Sequence, residues 1–180
     1  MNSPSDSSAA PGTVPPAPAS PVPTPAPVRH AFALWMTAVA AGAFETVLAV
    51  SGMAADGSGS AGEIGVGLTI RLTVFTAAWW CAVRMRRGHG WARLALTLGL
   101  GIGGTASMVA EPLGRLADGV SVGALLSDVG ALDLAFAVSR TLHVLAVLTA
   151  VTLVFLPAAN AYFTTARRSR ASAATLPAEQ

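Results

Sequence analysis

Two side chains of opposite charge lie inside apolar segments of this chain. Glu45 belongs to the run AFALWMTAVAAGAFETVLAVSGM, and Arg71 belongs to the next apolar run. Each lies about eight residues from the junction between the two runs, so antiparallel helices, which rise 1.5 Å per residue, would hold both at a similar depth. An unpaired charge in such surroundings would cost at least a few kcal/mol. The spacing therefore predicts an ion pair between Glu45 and Arg71.

A second pair of opposite charges follows later in the chain. Asp133 intrudes on an otherwise apolar helical face, and Arg140 lies seven residues further along on the same face. If one helix continues through both, Arg140 neutralises Asp133.

The three histidines, His30, His89 and His143, fall at unmatched depths, which does not suit two axial haem ligands.

No combination of residues in the sequence indicates a reaction centre. Cys81 is the only cysteine, so it forms neither an intrachain disulfide nor a cysteine-based metal site. No nucleophile–base pair and no phosphate loop stands out. We therefore predict no catalytic residue, no cofactor and no metal ion.

A glycine run has the letters of a nucleotide fingerprint. Gly99-Leu-Gly-Ile-Gly-Gly104 matches GxGxxG, which needs a preceding strand and a helix N-terminus at the glycines. This run instead lies in the middle of a hydrophobic helix, so we reject nucleotide binding. Gly99 and Gly103 also form GxxxG, which permits close helix packing within the chain or between chains.

The elements that hold these residues are apolar and long. The chain is 53% hydrophobic and 11% charged, against about 25% charged in soluble domains. Apolar stretches at about 31–53, 63–83, 91–111 and 140–163 each approach 20 residues or more, enough to cross a hydrocarbon core of about 30 Å. We predict an all-α bundle of four transmembrane helices, which makes Glu45 and Arg71 an intramembrane pair.

Composition divides the chain into three parts. Residues 1–28 are rich in Pro, Ala and Ser with almost no charge, which is typical of a disordered tail. Residues 29–166 form the predicted four-span membrane domain, and 167–180 form a polar tail. Arginines cluster before span one, between spans two and three, and after span four. By the positive-inside rule, both termini and the middle loop are cytoplasmic in a cell membrane.

The segment between spans three and four is too polar to cross a bilayer. Apolar residues recur at helical spacing from Ser121 to Phe136, which predicts an amphipathic helix on the outer surface. The large aromatics gather toward the inner ends of the spans, where headgroup-level anchoring is expected; they are Trp35, Trp79, Trp80, Trp91 and Tyr162.

Two short motifs resemble a known group of proteins. The stretch Arg86-Arg87-Gly88-His89-Gly90-Trp91-Ala92-Arg93 resembles the R-x-G-x-x-W-A-R loop of small four-span membrane proteins common in high-GC Gram-positive bacteria. The stretch Leu156-Pro157-Ala158-Ala159-Asn160-Ala161-Tyr162-Phe163 is similar to the L-P-x-x-N-x-Y-F end of their last span. The resemblance implies the four-span fold and implies no activity.

Two functions fit these features. The first is a non-enzymatic scaffold or interaction protein, whose partners are the lipid bilayer and other membrane proteins or a second copy of itself. The second is a proton- or ion-coupled carrier of small molecules that uses Glu45. The net charge of +2 is too small for nucleic-acid binding. The exposure of Glu45 discriminates the two, since a carrier needs it in a watery cavity and a scaffold needs it locked in an ion pair.

Overall fold

The computed structural model describes residues 23–119 and 130–175, and every regular element in those ranges is helical. The elements are α1 (Ala26–Asp56), α2 (Ala61–Arg86), α3 (Gly90–Leu96), a π-helical turn (Thr97–Gly104), α4 (Thr105–Ala117), α5 (Ala131–Val154) and α6 (Pro157–Thr175). We refer to α3, the π-helical turn and α4 together as the third span. The predicted all-α fold is confirmed.

Four of these stretches are long and apolar enough to cross a membrane. They are Ala26–Asp56, Ala61–Arg86, Gly90–Ala110 and Ala131–Val154. The first two contain the predicted spans 31–53 and 63–83 with a few added residues at their ends, and the third is the predicted span 91–111 moved by one residue. The chain therefore has the build of a multi-pass membrane protein.

The fourth span begins and ends nine residues earlier than predicted. Val154 ends α5 because Pro157 has no N–H to donate and its ring clashes with the carbonyl of Leu153. At the other end, Asp133 had argued against a span. The structure places it in the first turn, where its Oδ2 accepts a hydrogen bond from the Gly130 N–H at 3.1 Å, so its charge lies at the helix terminus and not inside.

Three predictions concern the segments around these helices. The amphipathic helix from Ser121 lies mostly outside the described residues, and its last part, Ala131–Phe136, belongs to α5. The N-terminal tail also lies outside the described residues up to position 22, while Ala26–Val28 already form the start of α1. The predicted polar tail from 167 continues α6 as far as Thr175.

The most extensive packing between described helices joins α1 to α5. The second helix also packs on α1, and the third span contacts α2 through α3 and α5 through the π-helical turn. Almost all fully buried apolar side chains belong to one half of the bundle, around Trp35, Met85, Leu96 and Val154. In the other half, the first part of α2 and most of α4 are exposed on every side. The bundle is thus closed at one end and splayed at the other.

The glycines of the third span do not all serve packing. A Cβ built on Gly99 meets nothing within 4 Å, and one built on Gly103 meets only a carbonyl of its own helix. Gly101 is the glycine that faces a neighbour, because a Cβ there would lie 3.3 Å from Val151 Cγ2 of α5. The GxxxG pair therefore faces outward, and the close approach within the chain uses the glycine between its members.

The predicted aromatic belt divides into two groups. Trp79, Trp80 and Trp91 are about half exposed, as expected for anchors at the membrane surface. Trp35 and Tyr162, by contrast, are buried in the core. Their rings fill the closed half of the bundle because α1 and α6 turn these faces toward the other helices.

Candidate functional site

Polar side chains meet between α1, α2 and α5 in the splayed half of the bundle. We call this set the polar cluster, and it consists of Glu45, Thr46, Arg71, Ser139, Arg140 and His143. Four of these residues are buried, although the surrounding helices are apolar. The cluster lies well inside the spans, since His143 is near the middle of α5. Buried polar groups at this depth mark either a structural network or a functional site.

The ion partner of Glu45 is Arg140. The Arg140 Nε lies 3.9 Å from Glu45 Oε2. Both predicted pairs are therefore corrected, because Asp133 caps the start of α5 and Arg140 reaches across to α1. One helical turn along α1 from this contact, packing of α5 against α1 brings Ser139 Oγ to 3.4 Å from the carbonyl of Ala41.

Arg71, the partner predicted for Glu45, reaches the neighbouring residue instead. Its Nη1 donates to Thr46 Oγ1 at 3.3 Å. The Thr46 hydroxyl in turn donates to the carbonyl of Gly42 at 2.8 Å. The prediction of a matching depth was sound, since Glu45 and Thr46 are adjacent. The contact was misassigned because neighbouring residues on a helix point about 100° apart, and Thr46 is the one that faces α2.

Sequence analysis did not place His143 in this cluster. The imidazole lies against Gly42, where an added Cβ would be 3.7 Å from His143 Cε1 and 3.0 Å from Phe75 Cε1. Gly42 thus lets α2 and α5 approach α1 at one level. The only indication in the sequence was the small residue Gly42, one turn before Glu45. It could not identify His143, because the sequence does not show which helix packs against Gly42.

Several polar atoms of the cluster are only partly satisfied. Glu45 Oε1 is buried and has no hydrogen-bond partner among the described residues. The His143 imidazole is buried near the backbone of Ala38, but neither ring nitrogen makes a hydrogen bond of ordinary geometry to a described residue. A carboxylate and an imidazole in one cluster are the residue types that can exchange a proton. Elsewhere in the described residues, no three His, Cys, Asp or Glu side chains come together as a metal site would need.

The closed end of the bundle collects most of the basic residues. Contacts among α1, the α2–α3 loop and α6 bring eight of the eleven arginines to this end. We call it the arginine end; its arginines are Arg29, Arg84, Arg86, Arg87, Arg93, Arg167, Arg168 and Arg170. The described residues at the opposite end carry the acids Asp56, Glu63, Asp118 and Asp133.

Arg93 connects the two sequence motifs at this end. Its Nη1 donates to Asn160 Oδ1 and, at 3.4 Å, to the carbonyl of Val154. The guanidinium also lies over the rings of Phe155 and Phe163, about 5 Å from each centroid. The Asn160 amide donates to the carbonyl of Phe155, which lies between the end of α5 and Pro157, at 2.9 Å. Arg93 and Asn160 together therefore hold the break between α5 and α6.

The α2–α3 loop is held against α6 by three further hydrogen bonds. Tyr162 Oη donates to the carbonyl of Arg86 at 2.8 Å. Arg170 donates through Nη2 to the carbonyl of Gly88 at 2.8 Å and through Nη1 to that of Arg87 at 3.4 Å. Gly88 has a φ of +81°, a conformation that favours glycine. The resembling motifs are thus the two halves of one contact.

Replacing Gly88 by Ala is expected to destabilise the protein by about 2–4 kcal/mol. The new Cβ would meet Ala166 Cβ at 2.7 Å, which adds overpacking of about 1–3 kcal/mol to the strain of a positive φ, about 1–2 kcal/mol. Gly57→Ala is the matched control, because Gly57 has a φ of +61° and open space around it. Thermal unfolding in detergent should show the larger loss for Gly88→Ala, and equal losses would contradict the close contact.

Four cations of the arginine end have neutral partners. Arg84 lies over Trp80 and Arg86 over Phe32, while Arg93 and Arg170 donate to amide and carbonyl oxygens. No Asp or Glu occurs at this end within the described residues. The positive charge is therefore held in place without being neutralised by the chain.

A pocket of about 490 Å³ opens at this end between α3 and α6. Its charged and polar lining includes His89, Arg93, Thr164, Arg167 and Arg170.

Comparison of the chain with protein-family models, with curated proteins and with solved structures finds no match.

Proposed function

We propose that this chain is a non-enzymatic membrane scaffold that acts by interaction, with its arginine end docked on an anionic membrane surface. The observation that carries the proposal is the excess of arginine at one end, held by ring faces and neutral oxygens. Charges fixed in this way attract counter-ions from outside the chain. In a bilayer, the counter-ions at headgroup level are anionic lipids, worth about 1 kcal/mol for each basic residue near the surface.

The same charge distribution supports a cytoplasmic arginine end in a cell membrane, with both termini inside. The polar cluster fits a scaffold as well, because Glu45 is buried and lies beside Arg140. In this proposal the cluster fixes the register of α1, α2 and α5. The outward-facing Gly99 and Gly103 remain available for contact with other membrane proteins or a second copy. From the resemblance of its two motifs, we also propose that the chain belongs with the small four-span membrane proteins of high-GC Gram-positive bacteria.

Lipid selectivity tests the proposal directly. We expect the purified full-length chain to retain phosphatidylglycerol at least about fivefold better than phosphatidylcholine, because a single basic residue near the surface contributes about 1 kcal/mol to the binding of an anionic lipid. Native mass spectrometry of protein released from micelles measures the ratio. The preference should fall as the ionic strength of the exchange buffer rises toward 1 M, where the Debye length is about 3 Å. Equal retention of the two lipids would contradict the docking role.

A carrier is the second candidate, and a specific observation favours it. The partner-free Glu45 Oε1 and His143 nitrogens form a buried proton donor–acceptor set near the middle of the spans. Vesicles containing the protein and an internal pH dye discriminate the two functions. A scaffold gives the same proton leak with the wild-type chain and with Glu45→Gln. A proton flux that is present with the wild-type chain and absent with Glu45→Gln would show that the protein is a carrier and would contradict the scaffold proposal.

A further inference from the structure

A cavity at the arginine end has the lining of an anion site. It lies where the third span begins and α6 passes, and it has a volume of about 490 Å³. Trp91 and Leu94 line one wall, and each is about half exposed. Arg167 and Arg170 belong to α6, and His89 belongs to the α2–α3 loop. A pocket with an apolar wall and a cationic wall suits a molecule that is itself part apolar and part anionic.

The cationic wall has unused donors. The guanidinium of Arg167 makes no hydrogen bond or ion pair with any residue in the described part of the chain. Arg170 uses Nη1 and Nη2 for one hydrogen bond each, to the carbonyls of Arg87 and Gly88, which leaves three of the five guanidinium N–H groups. His89 Nδ1 lies 3.1 Å from the carbonyl of Arg84. Because a carbonyl only accepts, Nδ1 carries the proton, so the neutral ring has an acceptor at Nε2 and adds no donor to the pocket.

The position of the pocket also selects its occupant. Trp91 begins the third span, at the level where indole rings meet lipid headgroups. Leu94 follows on the exposed surface of the same helix, where acyl chains would run. Arg93 lines the pocket too, but its guanidinium is committed to Asn160 and to the carbonyl of Val154.

We propose that this pocket binds the phosphate of one anionic phospholipid, with Arg167 and Arg170 on the phosphate oxygens and the lipid chains along Trp91 and Leu94. The inference rests on the proposed docking of the arginine end and deepens it. Docking by diffuse charge treats all arginines of this end alike. A built site makes the arginines that line the pocket matter more than their exposed neighbours.

Arg167→Gln and Arg168→Gln form a matched pair for the test. Both residues are exposed arginines on α6, and Arg167 lines the pocket. We expect Arg167→Gln to weaken binding of phosphatidylglycerol to the full-length chain at least about tenfold, as loss of charge-assisted hydrogen bonds does. Arg168→Gln removes one surface charge outside the pocket and should weaken binding by no more than about fivefold. Native mass spectrometry with titrated phosphatidylglycerol measures both.

Each alternative result has a separate meaning. Equal loss in the two variants would overturn the pocket while keeping diffuse docking. No preference of the wild-type chain for phosphatidylglycerol over phosphatidylcholine would overturn the docking as well. Displacement of the lipid by equimolar inorganic phosphate would assign the pocket to a soluble anion and overturn a lipid site. Arg167→Lys, which keeps the charge, should retain more binding than Arg167→Gln.

Discussion

Replacing Arg93 by Met is expected to destabilise the protein by about 3 kcal/mol. The change removes the donor to Asn160 Oδ1 and to the carbonyl of Val154, and hydrogen bonds to a charged group contribute about 1.5–3 kcal/mol. It also removes the cation from the faces of Phe155 and Phe163, each such contact contributing about 0.5–2 kcal/mol. Arg93→Lys should recover less than half, because an ammonium cannot reproduce the planar fork.

Unfolding in detergent, followed by circular dichroism, measures this effect. Arg168→Met is the control, since Arg168 is an exposed arginine of α6, and it should change stability by no more than about 0.5 kcal/mol. A double-mutant cycle with Asn160→Ala should give a coupling of about 1 kcal/mol or more. Additivity of the two substitutions would mean that Arg93 and Asn160 do not hold the α5–α6 break together.

Replacing Glu45 by Gln should destabilise the protein by about 2 kcal/mol, and adding Arg140→Gln should recover part of the loss. The single change leaves the Arg140 cation without its partner. Removing one member of a fully buried pair costs about 3–5 kcal/mol, and the effect here is smaller because the Arg140 side chain is 44% exposed. The predicted coupling between the two positions is about 1 kcal/mol.

The variant Glu45→Gln with Arg71→Gln is the matched comparison. Arg71 contacts Thr46, so this double variant should lie within about 0.5 kcal/mol of additivity. Detergent melting of six proteins completes both cycles: the wild type, the three single variants and the two double variants. Strong coupling of Glu45 to Arg71 and none to Arg140 would show that Glu45 pairs with α2. The ion pair would then be the one predicted from the sequence.

Much of the fold was accessible from hydrophobic length alone. A run of about 20 apolar residues has few alternatives to a spanning helix, because every backbone N–H and C=O must find a partner inside the apolar medium. The error in the fourth span has a local cause. Charge counting treated Asp133 as a barrier to a span, whereas a carboxylate in the first helical turn caps the free N–H groups and stabilises that end.

The candidate sites were less accessible, because they depend on which helices pack together. Depth along the spans grouped Glu45 with Arg71, and that grouping holds to within one residue. Depth gives no rotation about the helix axis, so it could not distinguish Thr46 from Glu45 as the contact. It also gave no reason to place α5 against α1, which is the packing that brings Arg140 and His143 to the cluster.

The sequence by itself determined the four-span helical fold, the approximate bounds of the first three spans and the collection of arginines at one end, because these follow from apolar runs and from the alternation of antiparallel spans. Only the tertiary structure decided the partners. Packing of α5 on α1 paired Glu45 with Arg140, and the proline break brought Asn160 to Arg93. Side-chain contacts between helices depend on their rotation and crossing, and these arise from the packing of all the helices together.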